Sequence, residues 1–424
     1  MKRLEKPALF PNNKSFILFG LILVLLLGIH LGFEYKNYQN FINKPFYYTY
    51  AKVITAYEKT KNKKRYQVLK LRSDEGFVFY TTSYGKDDFN HKRLRLQIFP
   101  SENISFQDYL SIFYVRSKIK YQVSMPLTLK DTLLENISSQ HQDKDLQSFY
   151  NAIFFATTLS PKLREKISML GVSHLVALSG FHLSILWALV YGLLLLLYSP
   201  LQQKVFPYRH ALFDVGIVGM LLLGAYLWFV DFPPSLLRSY AMVFVGWVML
   251  LLGVELLSFK FLFTIFLVLA TVFPSLLFSL SFGLSVAGVF YIFLLLQYTK
   301  DFNVWLISLV FIPFGIFILM LPIVHGIFGM TSEYQLLSPF LSLIFIVFYP
   351  FVIFAHVLSF GAVLDDILLT LFSLPPKGKE IFLPLGFVYG YILLSLVAIA
   401  KRKGFYLLLL CAVLYMLYLF VPIE

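Results

Sequence analysis

The stretch "GVSHLVALSGFHLSIL", Gly171 to Leu186, places four residues able to do chemistry where only apolar side chains are expected. His174 and His182 could ligate a metal or carry a proton. Ser179 could act as a nucleophile, and Gly180 would let another segment approach closely. Two further stretches repeat the theme: "DFPPSLLRSYAM" offers Ser235 and Arg238, and "PSLLFSLSFGLSVAG" offers Ser281, Gly283 and Ser285. Polar and ionisable groups inside a membrane span are costly, so each is a functional candidate by default. Asp231, Glu255, His325 and Glu333 join them on that ground.

Four kinds of chemistry compete for the first stretch. A metal site is poorly served, because the two histidines are eight residues apart with no acid between them and Cys411 is the sole cysteine; neither metal nor cofactor is expected. An intramembrane serine protease would use Ser179, yet no Gly-x-Ser-x-Gly pattern surrounds it. Helix packing would use Ser and Gly for close approach and His for hydrogen bonds across helices. A hydrated passage would use the interruptions themselves, since broken helix at membrane depth must line a cavity or be buried in protein. Ser179-Gly180, Pro233-Pro234 and Ser281-Phe282-Gly283 are three such interruptions.

The elements that position these residues follow from composition. Of 424 residues, 58% are hydrophobic, 18% aromatic and 14% charged, against about a quarter charged in soluble domains. A polytopic membrane protein is expected. Spans of about 20 residues are predicted near 15–33, 174–198, 211–230, 236–257, 259–274, 276–297, 303–323, 337–358, 381–400 and 405–421. That makes about ten transmembrane helices, with 259–274 short enough to be re-entrant and 361–376 an amphipathic helix too charged to span comfortably. Lys2, Arg3, Lys6 and Lys14 precede the first span, which predicts an uncleaved anchor with a cytoplasmic N-terminus.

Residues 34–150 carry 19 Lys/Arg against 12 Asp/Glu, whereas 171–424 carry 10 against 9. The positive charge therefore gathers in one polar segment outside the membrane, where clustered cations supply the sequence-independent part of nucleic-acid binding. The runs "FYYTYAKVITAYEK", "RYQVLKLRS", "GFVFYTTSYG", "KRLRLQIF" and "YLSIFYVRSKIKYQV" alternate with period two between polar turns. Five short strands of this kind predict a small OB-like β-barrel. Lys63, Lys64, Arg65 and Tyr66, then Lys92, Arg93 and Arg95, are its candidate nucleic-acid contacts; the competing reading is a lysine-blunted sheet edge. The expected organisation is an anchor at 1–33, a periplasmic β-rich domain at 34–127, amphipathic interfacial helices at 128–170 and a transmembrane domain at 171–424.

Taken together these stretches resemble the ComEC-type competence channel family. His174, Leu175, Ala177, Ser179, Gly180 and His182 fit its His-Leu-x-Ala-hydrophobic-Ser-Gly-hydrophobic-His signature. Pro234, Ser235 and Arg238 fit its Pro-Ser-x-x-Arg-Ala segment, with Ser239 where Ala is usual. Ser281, Leu284, Ser285 and Ala287 fit a third segment, in which Phe273 replaces the usual Asp, and Ser342 takes a place where Asn is common. The resemblance implies a bacterial inner-membrane protein that imports single-stranded DNA during natural transformation, through a channel rather than an enzyme. No His-x-His-x-Asp-His motif of the family's metallo-β-lactamase-like domain occurs. A short form is therefore expected, with strand degradation left to a separate nuclease. A periplasmic DNA receptor, cytoplasmic single-strand-binding proteins, membrane lipid and further copies of the chain are the other implied partners. A small-molecule or lipid-linked transporter is the main alternative; it predicts internal repeats, and none is visible.

Overall fold

The computed structural model describes residues 9–61, 64–84, 89, 92–253, 258–375 and 377–421. Two compact units divide the chain, one formed by 10–132 with 263–282 and the other by 1–9, 133–262 and 283–424.

The first unit begins with α1 (Asn13–Ile42), capped by the Asn12 side chain on Ser15 N. At ~1.5 Å per residue its 30 residues reach ~45 Å, longer than the ~30 Å of a hydrocarbon core. The excess enters the β-rich part, where Phe41 is buried and Tyr38 Oη donates to Ile104 O at 2.7 Å. Six strands follow: β1 (Tyr47–Lys61), β2 (Lys64–Ser73), β3 (Val78–Ser83), β4 (Lys92–Phe99), β5 (Ile112–Tyr114) and β6 (Arg116–Ser124). The short helix α2 (Phe106–Leu110) precedes β5. Period-two alternation of aromatic and β-branched residues places the strands as expected, except that the fifth run is broken at Val115 into β5 and β6.

The sheet order is β5-β3-β2-β1-β4-β6, and this corrects the expected closed barrel. Register shifts at Val53/Thr55 and Arg95/Leu96 mark bulges that increase coiling. The sheet curls until Thr81 Oγ1 on β3 and Ser117 Oγ on β6 lie 2.8 Å apart, but no backbone ladder joins these strands among the described residues. A 310 Å³ cleft lined by Ser83, Phe89, Ile119, Lys120, Tyr121 and Gln122 sits along that seam. The inner face is filled by Phe41 of α1 and Tyr109 of α2 against Phe77, Phe79 and Phe113. This aromatic plug buries the core that a closing ladder would otherwise have covered. In the same unit α10 (Phe259–Val272) meets α1: His30 Nδ1 bonds Thr271 O at 2.8 Å and Thr271 Oγ1 donates to Leu23 O at 3.2 Å.

The second unit is helical. Its elements are α3 (Leu129–Ser139), α4 (Lys144–Phe155), α5 (Pro161–Met169), α6 (Ser173–Val176), α7 (Gly180–Val205), α8 (Ala211–Phe229), α9 (Pro234–Leu251), α11 (Leu280–Thr299), α12 (Val304–Leu306) running through a π turn into α13 (Ile312–His325), α14 (Ser338–Val357), α15 (Asp365–Phe372), α16 (Leu385–Ala400) and α17 (Arg402–Phe420). Across both units, seven helices of the described residues are long and apolar enough to cross a membrane; Ser235–Leu251, Phe259–Val272 and Leu385–Ala400 are apolar but shorter. The chain is thus a polytopic membrane protein, mostly helical, with an attached sheet. At 8 residues, α15 spans only ~12 Å and cannot cross. The aromatic face of α4 is buried in protein: Phe149, Tyr150, Phe154 and Phe155 pack with Phe345, Tyr349, Leu368 and Phe372.

Candidate functional site

The signature segment folds as a deliberate break. Helix α5 stops at Leu170, and Gly171 takes φ +67°, a conformation open to glycine at little steric cost. A Cβ there would also lie 3.2 Å from Gln335 Cγ. One helical turn, α6, carries His174; Ala177 is extended, and Ser179 starts α7 as its N-cap. Ser179 Oγ accepts from Phe181 N at 3.3 Å, while Ser179 N donates to His182 Nδ1 at 3.4 Å. Ser179 and His182 therefore form a reciprocal capping box in which histidine takes the place usual for Glu or Gln. Because an amide N–H can only donate, Nδ1 accepts, and in the neutral ring the proton sits on Nε2. His182 is fully buried, and Nε2 has no hydrogen-bond partner among the described residues. Its ring lies edge to face with Phe345 at 5.0 Å and Tyr349 at 4.8 Å.

The second interruption closes over the first. Ser235, in the first turn of α9, donates to Leu178 O at 2.6 Å and so satisfies a carbonyl that the helix break leaves without an intrahelical partner. One turn on, Ser239 Oγ donates to Ser235 O at 2.8 Å, and a Cβ on Gly180 would lie 2.9 Å from that same Oγ. Arg238 beside it is buried. On the other side, Ser342 Oγ donates to Ser338 O at 2.8 Å and so accepts from His174 Nε2 at 3.2 Å. Ser338 Oγ donates to Gly171 O at 3.0 Å. Helices α9 and α14 thus hold the broken segment between them. Among the described residues no third group bonds the far nitrogen of His182, the place that the orienting carboxylate takes in a serine hydrolase.

The third interruption, Ser281-Phe282-Gly283, falls in the first turn of α11. Phe282 is buried and stacks on Phe266 at 5.4 Å. Ser281 and Gly283 are exposed and Ser285 is half-buried, and a Cβ on Gly283 or Gly288 would meet nothing within 4 Å.

The sheet carries a second constellation. Burial and register put Tyr48, Tyr50 and Lys52 of β1, Lys70 and Arg72 of β2, Tyr80 of β3, Arg93, Arg95 and Gln97 of β4, and Lys118 and Tyr121 of β6 on the face opposite the core. Arg93, Lys52 and Arg72 lie directly opposite one another across three strands, an arrangement that destabilises a sheet unless an anion relieves it. Asp74 pairs with Arg93. Tyr50 packs under both arginines, 5.2 Å from Arg93 and 5.7 Å from Arg95, and Arg95 pairs with Tyr121 in register. Of the residues predicted from sequence, Arg93 and Arg95 share this face. Lys92 alternates to the other side, bonding Gln122 at 3.2 Å near Phe89. Arg65 and Tyr66 sit at the β1–β2 hairpin end, with Tyr66 against Tyr84 at 6.1 Å. Lys63 and the side chain of Lys64 lie outside the described residues.

Sequence reasoning missed a third cluster: His141, before α4, bonds Asp365 of α15 and His356 of α14. His356 sits within an apolar helix, so the rule that marked the other intramembrane polar groups also marks it. His141 and Asp365 gave no such signal, being 224 residues apart in segments that read as solvated.

Apolar spans with a sheet domain, and a broken, polar-lined packing point where three helices meet, define the class: a polytopic membrane protein with interrupted helices. Residues 155–423 match the competence protein family, and the chain belongs to it. An uncharacterized protein of Aquifex aeolicus (strain VF5) is 28% identical over 297 residues, 67% of this chain and 64% of that protein. The chain thus spans slightly less than two thirds of that relative's length. No solved structure matches this chain.

Proposed function

We propose that this protein is an inner-membrane channel that admits single-stranded DNA to the cytoplasm during natural transformation, with its N-terminus cytoplasmic and its sheet domain outside. The observation that carries the reading is the basic, aromatic outer face of the sheet. Lys52, Arg72, Arg93 and Arg95 provide charge, and Tyr48, Tyr50 and Tyr121 provide ring faces, within one surface. Single strands are bound in this way without regard to sequence: cations track the phosphates and bases stack on aromatic rings, each stack contributing about 1–3 kcal/mol.

Passage then needs a hydrated path, because an isolated charge in hydrocarbon costs on the order of tens of kcal/mol. The segment of His174, Ser179, Gly180 and His182, with Ser235 and Arg238 over it and the open glycine face of α11 at Gly283 and Ser285, supplies the polar groups for that path. Family membership supports a role in competence. A periplasmic receptor would deliver the strand, a separate nuclease would remove its complement, and single-strand-binding proteins would receive it inside.

The test is a deletion strain of a transformable host given fluorescent duplex DNA from outside. Label held in the periplasm, with loss of transformants restored by the gene in trans, is the expected result. Undiminished transformation would end this reading.

A further inference from the structure

We infer that Asp365, His141 and His356 form a binding site for a single proton, which latches α14 to the start of α4. The geometry fixes the proton count. Val352 O can only accept, so His356 Nδ1, 2.6 Å away, carries a proton. One proton lies between the two Nε2 atoms, 2.9 Å apart. Another lies between His141 Nδ1 and the Asp365 carboxyl group, 3.0 Å from either oxygen. Three bonds hold three protons, whereas two neutral imidazoles and a carboxylate bring two. The closed arrangement therefore contains one proton more, and without it two lone pairs face each other in one of the bonds.

The surroundings isolate that proton. The His141 side chain is fully buried and that of Asp365 is 15% exposed. Tyr150 of α4 lies flat on His141 at 4.3 Å and 9°, and its hydroxyl, pushed far up by burial and by Asp365, stays a phenol. Gln147 Nε2 donates to His141 O. Helix α5 turns Leu163 and Ile167 inward and leaves Lys162, Arg164 and Glu165 exposed. Asp143 and Asp145 are held by the α4 cap and by Ser160, and Asp366, next to the half-buried Asp365 in sequence, is exposed. The α14–α15 corner is keyed to the latch. Ser359 has φ +64°, Gln140 bridges His356 O and Gly361 N, and a Cβ on Gly361 would lie 2.5 Å from Gln140 Oε1.

Linkage gives the latch an unusual pH profile. In water an imidazole titrates near pH ~6.5 and an aspartate side chain near ~3.9, and these general values set the proton count of an open, solvated latch. Above ~6.5 the open form carries two protons and the closed form three, so opening releases one and is favoured as pH rises. Between ~4 and ~6.5 the open form carries four, so opening takes one up and is favoured as pH falls. Closure is strongest near pH ~6.5, with about a tenfold change in opening per pH unit on either limb. Asp365→Asn changes the count: the carboxamide donates to His141 Nδ1 and completes the third bond with no added proton. Its alkaline limb should vanish, while its acid limb should steepen to about a hundredfold per unit.

The experiment is hydrogen exchange of the full-length protein in lipid nanodiscs from pH 5 to 9. It follows the amides of residues 358–365 after correction for intrinsic exchange. The expected wild-type profile is a maximum of protection with both limbs, and Asp365→Asn loses the alkaline one. A wild-type profile without an alkaline limb overturns the inference and needs no variant. So does an Asp365→Asn profile that keeps that limb.

Discussion

Replacing Lys52, Arg72 and Arg95 together by alanine should separate binding from folding on the sheet. The three cations sit on β1, β2 and β4 and share the outer face with Tyr50 and Tyr121. Each phosphate neutralised on a single strand contributes about 0.7 to the slope of log K against log salt, so losing three contacts should flatten the slope by ~2. Between 50 and 200 mM salt the wild-type protein should then lose about 20-fold more affinity than the variant does. Stability should move the other way or not at all. Lys52 stands directly opposite both Arg93 and Arg72, and like charges so placed destabilise a sheet by roughly 0.2–1 kcal/mol per pair. The assay is anisotropy of a labelled oligothymidine with the full-length protein in nanodiscs at several salt concentrations, alongside thermal unfolding. Parallel salt slopes for wild type and variant would refute the reasoning. In a companion variant, Tyr50→Ala with Tyr121→Ala, affinity should fall by about 1–3 kcal/mol per lost stack with the slope unchanged.

The packing point makes two further predictions. Gly180→Leu drives a side chain into Ser239 Oγ, which already lies 2.9 Å from where a Cβ would stand. It should destabilise by about 1–3 kcal/mol in thermal unfolding, and Ser239→Gly in the same chain should restore part of that loss; no restoration would remove the contact from the account. Ser235→Ala leaves the Leu178 carbonyl without its 2.6 Å donor and should cost about 1–3 kcal/mol, whereas Ser235→Thr, which keeps the hydroxyl, should cost less. Equal losses for the two would refute the hydrogen-bond assignment.

Local pattern carried the sequence reading wherever structure is local. Alternation located the strands, and Ser-Gly and Pro-Pro pairs located the helix breaks at Ser179-Gly180 and Pro233-Pro234. Alternation also places Lys92 and Arg93 on opposite faces, a consequence of the period-two rule that separates residues adjacent in a run of charge. Barrel closure was not legible, because it depends on whether β3 and β6 form a ladder. That in turn rests on the break at Val115 and on rings from Phe41 and Tyr109 filling the interior. The bond from Ser235 to Leu178 spans 57 residues and the one from His356 to His141 spans 215; no spacing rule reaches that far.

One helix joins two of these long-range features. Ser338, Ser342, Phe345, Tyr349, Val352 and His356 follow one another at intervals of 4, 3, 4, 3 and 4 along α14, which keeps them on one stripe. In order, that stripe bonds Gly171 O, bonds His174, packs on His182 with two rings, and ends at His141. Tyr349 adds a bond to Ile153 O of α4 at 3.4 Å. Close-packed interiors transmit strain, so a shift of α14 at His356, carried past Pro350 inside the helix, should change the contacts of His174 and His182 as well. The unpartnered Nε2 of His182 lies against Phe345 and Tyr349, two residues of that same stripe. The signature histidines and the buried proton are therefore held by one helix. A variant that opens the latch should alter the surroundings of His174 and His182 without touching either residue.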